Sequence, residues 1–393
     1  MQRAAAVVIG NHSQGLGIVR SAAAAGSPVW VVNDAVLTLT RFSRHVSGYR
    51  RLPRGTLRQL DEAPAAERLL SALLELPVEY PSLLLGVDED ITRFVHANRA
   101  TLRQRFFVPD MRLERIYDKY AFSSLLPPDL RIDTWLGNDC STRDVSTPSR
   151  FILKGRQGSS FRNITGQKAL HLDRIGTKAR NELFERIPPH QVIVQEIIES
   201  DRPVVSVCSF SVDGRIAGLF QYEKLRQHPN RFGTGTYLRS TRIPALDPLA
   251  EAILRSLAFT GISEIEFIHD PRTRTYKVVE MNPRTWKSVH FATQCGQNLV
   301  ARFLTFIATG TISSDRGYTR DRFWVDLATD IPQMFRERKL WGYRRDLLEC
   351  TWERSDPWPA VALWALFPFI AIEDRLPVRR VGRARDERGS GAS

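Results

Sequence analysis

Cysteine is scarce in this sequence and never paired. Cys140, Cys208, Cys295 and Cys350 form no CxxC spacing, which argues against a disulfide framework and a zinc site and fits a reducing cytoplasm. No apolar run reaches the roughly 18 residues that a membrane-spanning helix needs. The longest, PWPAVALWALFPFIAI at 357–372, is interrupted by proline and reads as a buried helix, with surface attachment to a membrane as the lesser reading. The start, MQRAAAVVIG, enters strand-like sequence at once and lacks the apolar core and cleavage site of a signal peptide. The common nucleotide fingerprints are missing too. Glycines 10, 15 and 17 of GNHSQGLG do not have GxGxxG spacing, and no Gly-Lys-Ser/Thr triplet follows. That loop reads as the first turn of a Rossmann-like sheet. Lysine is rare as well: only 8 of the 56 basic residues are lysines.

What is present is ordinary globular material. Of the 393 residues 42% are hydrophobic and 25% charged, enough for two to three domains with real cores. The net charge of +13 comes mainly from scattered arginines. The one basic run, Arg375, Arg379, Arg380, Arg383 and Arg385, has no interleaved aromatics or groove-reading motif, so nucleic acid is not expected as a partner.

The first ~110 residues alternate apolar strand and helix (AAAVVIG, GLGIVRSAAAAG, SPVWVVND, SLLLGVDED), the pattern of a parallel sheet covered by helices. RFFVPDMR is a linker. LERIYDKYAFSSLL predicts one helix stopped by Pro127 and Pro128. FILKG is a strand, GRQGSSF a flexible loop and VIVQEII a further strand. VVSVCSFSVDG alternates up to a hairpin turn at Asp213-Gly214. SEIEFIHD and TYKVVEMN predict antiparallel strands joined by DPRTRT. The segment after ~310 reads as helical and tryptophan-rich, ending in a polar tail expected to be disordered.

Side chains alternate along a strand. In the last hairpin Glu264 and Glu266 therefore share one face, with Ile265 and Phe267 opposite. Glu280 and Asn282 share a face of the partner strand, with Val279 and Met281 opposite. Pairing gathers Glu266, Glu280 and Asn282 on one surface. A solvated polar face is the bland reading, but clustered carboxylates are kept where a cation neutralises them. Too few oxygen ligands to fill a shell suit magnesium, which completes it with phosphate and water. Pro283 and Arg284 follow directly. The rare lysines add a second signal: Lys119 sits on a helix after Asp118, and Lys154 ends a strand before the Gly/Ser loop, well placed to hold phosphate as a point charge. That loop has small residues whose N–H groups suit phosphate.

The order of these features (Lys119, Lys154 before a flexible loop, QEII, then E…E-x-N-P-R) resembles the ATP-grasp superfamily over about residues 1–310. It is most like the carboxylate–amine ligase-like, carbamoyl-phosphate-synthase large-subunit-like members. The resemblance implies an α/β architecture with α+β elements: an N-terminal Rossmann-like domain at 1–110, a small lobe with a lid loop at 111–190, a large antiparallel-sheet lobe with the metal site at 191–310, and a helical C-terminal extension with a basic tail at 311–393. It implies that Lys119 and Lys154 hold ATP phosphates under a lid containing Gly158, Ser159 and Ser160. Gln195 and Glu196, with the backbone of Ile197 and Ile198, would read the adenine, and Asp201 or Glu199 the ribose. Glu266, Glu280 and Asn282 would bind two magnesium ions, and Arg284 would steady the γ-phosphate and the acyl phosphate formed from it. Glycine follows Lys154 where many members have proline, which bears on the lid assignment.

The expected activity is an ATP-dependent ligase that activates a carboxylate as an acyl phosphate and joins it to an amine, releasing ADP and phosphate in the cytoplasm. Arg226 in KLRQHPN is a candidate second arginine at the phosphoryl group or substrate carboxylate, with an ordinary surface arginine weighed equally. The partners are small carboxylates and amines, amino acids among them. An ATP-grasp carboxylase or acyl-thiol ligase ranks lower, since no biotin-carrying lysine between methionines occurs. An oxidoreductase is disfavoured by the missing fingerprint, and a nucleotide-binding protein without ligase activity stays as the non-enzymatic alternative. His290, Trp286, Lys287, Asp88 and Asp90 are weaker candidates. For the residues after 310 three roles stand open: a cap on the active site, a homodimer interface or a membrane contact.

Overall fold

The computed structural model describes residues 4–141, 151–158, 160–172, 175, 177–229, 232–313, 317–338, 342–344 and 346–375. Three sheets organise them. Continuous apolar runs give β1 (Ala6–Ile9), β2 (Val29–Asn33) and β4 (Ser82–Gly86), with β3 (Gly48–Arg51) and β5 (Phe106–Phe107) at the edges. All pair in parallel in the order β3-β2-β1-β4-β5. Helix His12–Ala24 packs beside the strand that feeds it. Gly10 makes the turn between them at φ +113°, where a Cβ would lie 2.3 Å from Val87 Cγ2, so only glycine fits.

The second sheet is small and antiparallel, with order β6 (Thr134–Leu136), β9 (Val192–Glu196), β7 (Phe151–Gly155), β8 (Ala169–His171). It carries its own core around Leu153, Phe161, Leu183 and Val194. The expected helix before it is broken in two, Leu113–Tyr117 and Lys119–Leu125. Asp118 is the reason. It caps the second helix, accepting from the backbone N–H groups of Tyr120 at 3.1 Å and Ala121 at 3.0 Å.

The largest sheet runs β14 (Thr275–Asn282), β13 (Gly261–Asp270), β10 (Val205–Val212), β11 (Arg215–His228), β12 (Thr234–Thr241), β15 (Phe323–Val325), β16 (Leu347–Glu349). All neighbours are antiparallel except β15 and β16. The C-terminal part thus adds two short strands to its expected helices, Leu327–Glu337 and Trp358–Arg375. One face of the sheet, with Val205, Val207, Ile265 and Phe267, packs on helix Leu246–Ser256 and on Leu113, Ile116 and Phe122. The other face changes character along the strands. Phe210, Phe220 and Ile262 pack under helix Leu299–Thr309, whereas Tyr222, Lys224, Glu264 and Glu266 are buried and polar.

In the β13–β14 hairpin the register slips beyond the Glu266–Glu280 pair, so that Phe267 faces Val278. Val279 is the extra residue of this bulge. Val278 and Met281 therefore supply the core contacts, where simple alternation assigns Val279 and Met281. Glu280 and Asn282 keep the expected face.

Candidate active site

Two cross-strand pairs form the floor: Glu264 stands opposite Asn282, and Glu266 opposite Glu280. Asn282 Nδ2 donates to Glu264 Oε2 at 3.1 Å and to Glu280 Oε1 at 3.4 Å. Arg284 Nη2 donates to Asn282 Oδ1 at 3.2 Å and Nη1 to the Thr285 carbonyl at 2.9 Å, while its buried Nε has no partner. Tyr222 donates its hydroxyl to Glu264, and the Lys224 ammonium is bound directly to Glu266. Burial raises the Glu266 carboxyl, Lys224 opposes this, and the charges of Glu280 and Glu264 push it further up. Burial would raise Glu280 too, but Lys154, Lys168, Lys224 and Lys119 together outweigh it and hold that carboxyl low.

The donor set fits a hard divalent cation. Every donor atom is an oxygen, and three carboxylates sit close enough to perturb one another. Lys224 supplies the positive charge that this cluster demands of its surroundings. Glu266, Glu280 and Asn282 leave places in the shell for phosphate and water, as magnesium prefers. Asp326, Glu349 and Cys350 also bring ligand atoms within 4.8 Å of one another, but their groups are committed elsewhere. Lys287 pairs with Asp326. Glu349 accepts from the Thr351 and Trp352 backbone N–H groups at 2.7 and 2.6 Å. Burial lifts the Cys350 thiol far from ionisation.

Four lysines converge on Glu280. Lys154 ends β7, and burial lowers it to about 8 against the pull of Glu280. Lys168 is exposed and donates to Thr234 Oγ1 at 3.2 Å. The loop after β7 is latched by Asp118, which accepts from Arg156 Nε at 2.9 Å and Gln157 Nε2 at 3.1 Å, while the Lys119 N–H donates to the Arg156 carbonyl at 3.0 Å. Gly158 N–H donates to Glu89 Oε1 at 3.0 Å. Ser160 opens helix Ser160–Thr165, and Ser159 lies outside the described residues.

The residues expected around the base and ribose sit at the end of β9. Gln195 is buried and donates to Thr134 Oγ1 at 3.0 Å, and the Glu196 carboxylate accepts from Arg272 Nη1 at 2.7 Å. Ile197 and Ile198 are buried, and the exposed Asp201 is held low by a 2.7 Å hydrogen bond with His269. Arg226 lies elsewhere in the network. Its Nε and Nη2 hold Asp330 at 3.0 and 2.6 Å, and its guanidinium stacks 4.2 Å above Tyr237. Trp286 is buried in the core, Lys287 pairs with Asp326, and His290 contacts Ser21 and Glu353. Asp88 caps helix Glu89–Ala97 through the Ile91 N–H at 2.8 Å.

Sequence reasoning did not single out Lys168, Lys224 or Tyr222 as site residues. The scarcity that singled out Lys119 and Lys154 applied equally to both further lysines. A chain that uses arginine almost everywhere keeps lysine where a compact point charge is wanted.

A cavity adjoins this floor between the first sheet and the large one, lined by Gly86, Thr92, His96, Ile262, Arg284 and Thr285 among others. Its walls are largely apolar, from Leu84, Val95, Phe107 and Phe303. Burial lowers His96 to about 4, and its Nδ1 has no partner.

No family profile matches the chain. A D-aspartate ligase from Enterococcus faecium is 27% identical over 163 residues, 38% of each chain, so only a minor part of that relative's length is spanned. Among solved structures, N5-carboxyaminoimidazole synthetase from Staphylococcus aureus superposes with a TM-score of 0.59 at 15% identity over 86% of both chains. An L-amino acid ligase from Bacillus licheniformis gives 0.56 at 14% identity, over 80% of this chain and 78% of that one. Biotin carboxylase from Campylobacter jejuni gives 0.59 at 11%, over 81% and 74%. At such identities the likeness is one of architecture: this chain has the ATP-grasp fold.

Proposed function

We propose that this chain is an ATP-dependent carboxylate–amine ligase, and the observation that carries the reading is the charge pattern at the hairpin. The charges of Lys154, Lys168, Lys224 and Lys119 act on Glu280, Lys224 is bound to Glu266, and the Arg284 guanidinium donates to Asn282 beside them. This surplus of positive charge suits a magnesium-bound nucleoside triphosphate. Structures with the same fold include one described with ADP, magnesium and bicarbonate, and others described as an N5-carboxyaminoimidazole synthetase and an L-amino acid ligase.

On this reading Lys119 and Lys154 hold phosphate oxygens as point charges, with backbone N–H groups at Gly158 and Ser160 in the loop after β7 closing over them. Gln195, Glu196, Ile197 and Ile198 flank the base, and Asp201 or Glu199 meets the ribose. Glu266, Glu280 and Asn282 are the residues that would hold two magnesium ions, which when bound neutralise charge on the phosphates.

A carboxylate has a poor leaving group at neutral pH, so its oxygen first attacks the γ-phosphorus and ADP leaves. The amine then attacks the acyl carbon and phosphate leaves with that oxygen. Arg284, which lines the cavity and whose buried Nε has no partner, steadies charge on the transferred phosphoryl group. The loop excludes water while the acyl phosphate waits for the amine. Arg226 stays a candidate for the substrate carboxylate through its place on β11. The cavity beside Arg284 is the substrate pocket, and its apolar walls and neutral His96 suit a small acid with an uncharged side group. The unpaired cysteines fit a cytoplasmic setting.

The test is a screen of amino acids and small acids in pairs, read by ADP release. The reading expects at least one pair with amine-dependent release, lost in Glu280→Ala and Lys154→Ala while both variants stay folded. Release that depends on bicarbonate and not on an amine would favour the carboxylase reading, which the biotin carboxylase likeness keeps in view. Nucleotide binding with no turnover for any pair would favour a binding protein.

A further inference from the structure

Helix Trp358–Arg375 has no polar face over most of its length: residues 357–372 contain no charged, amide or hydroxyl side chain. One side is covered. Ala360, Ala362 and Leu363 are buried, and Leu363 packs with Leu16 and Leu39 of the first domain. The opposite side is bare. Trp358, Val361 and Trp364 follow one another at three-residue intervals and are 63%, 48% and 50% exposed, and Phe369 beyond them is 60% exposed. Ile331 and Phe335 of helix Leu327–Glu337 are exposed as well. A bare apolar face of this kind marks an interaction site.

Two observations choose its occupant. The exposed set is dominated by tryptophan and phenylalanine, whose amphipathic or bulky rings partition to the headgroup level of a bilayer. At and after its end the sequence carries Arg375, Arg379, Arg380, Arg383, Arg385 and Arg388 against Glu373, Asp374, Asp386 and Glu387, and the run from Arg375 to Arg385, with no acid inside it, is the part that anionic lipid attracts. No helix among the described residues is long and apolar enough to cross a membrane.

We propose that the outward face of helix Trp358–Arg375, together with the arginines that follow it, seats this protein on an anionic phospholipid surface. The proposal is independent of the ligase reading. Its test is co-sedimentation of the full chain with vesicles of phosphatidylcholine, with and without a third of phosphatidylglycerol, at low and high salt. The native chain should pellet with anionic vesicles and bind about tenfold more weakly to neutral ones or at high salt. Trp364→Gln with Phe369→Gln, both exposed, and separately Arg379→Gln with Arg380→Gln, should each weaken binding about tenfold at an unchanged thermal midpoint. A native chain that stays in the supernatant with both vesicle types overturns the proposal, as does equal, salt-insensitive binding to both. A native dimer in sedimentation velocity that Trp364→Gln splits, without vesicle binding, would assign the patch to self-association instead.

Discussion

Replacing Asp330 by asparagine tests how the C-terminal part is held to the large sheet, and what Arg226 is for. Asp330 is fully buried, and the Arg226 side chain is only 13% exposed. The carboxylate accepts from Arg226 Nη2, Thr236 Oγ1 and Tyr343 Oη, each at 2.6 Å. At a separation near 3 Å and an effective dielectric of about 20, the gross attraction is about 5 kcal/mol. The desolvation that the native pair already bears offsets part of this, so Asp330→Asn should cost about 2–3 kcal/mol, and Asp330→Ala about 3–5 kcal/mol because the guanidinium is stranded. In thermal unfolding followed by tryptophan emission the asparagine variant should lose about 5 °C.

The pH dependence has a definite sign. Burial would raise Asp330, but the hydrogen bonds from Arg226, Thr236 and Tyr343 outweigh it and hold the carboxyl below 3.8. Its contribution is therefore complete above the unfolded value and lost as pH falls through the lowered folded one. Native and variant should differ by a constant amount above about pH 5 and converge in acid. Arg226→Met combined with Asp330→Leu should regain most of the stability, with a coupling of at least about 2 kcal/mol. Additive effects of about 1 °C each would refute the reasoning. If Arg226 also meets substrate, the double variant stays inactive although stable.

Other predictions concern the site. Asp118→Ala removes a helix cap and the latch on Arg156 and Gln157. It should cost about 2 kcal/mol and raise the KM for ATP more than it lowers kcat. Lys154 titrates near 8 because burial disfavours its ammonium. Nucleotide affinity should fall as pH rises through that value, by isothermal titration with a non-hydrolysable analogue, and Lys154→Arg should remove the fall. A lysine lowered in the fold costs stability at neutral pH, and that cost should disappear as pH rises from about 8 towards 10.5. Lys224→Met strands Glu266, so without divalent ions it should lower the thermal midpoint by about 5 °C. Magnesium should restore more of that loss than it adds to the native chain, and equal shifts would contradict the pairing.

Alternation and turn chemistry made the core of the site legible. EIEF and VEMN, separated by DPRTRT, determine which face Glu266, Glu280 and Asn282 share, because period two leaves no other choice once the apolar side chains are buried. The bulge at Val279 was not legible, since a register slip depends on the partner strand and not on the local sequence. The break at Asp118 was readable in principle as an N-cap directly before a helical turn, but apolar periodicity on both sides hid it. β15 and β16, at three residues each, are too short to show a period. Arg226 and Asp330 are 104 residues apart, and nothing local couples them. The apolar run of the last helix was plain, whereas the face left bare depends on where Leu16, Leu39 and Ala328 lie.

On the ligase proposal these side chains serve the phosphorylation of a carboxylate, and heavy-oxygen transfer measures that step directly. With any active pair found in the screen, a carboxylate labelled with heavy oxygen should yield one labelled oxygen in the released phosphate for each bond formed. Glu280→Gln should lower this transfer about a thousandfold while the protein stays folded. ADP release with unlabelled phosphate, or full transfer in the variant, would contradict the account.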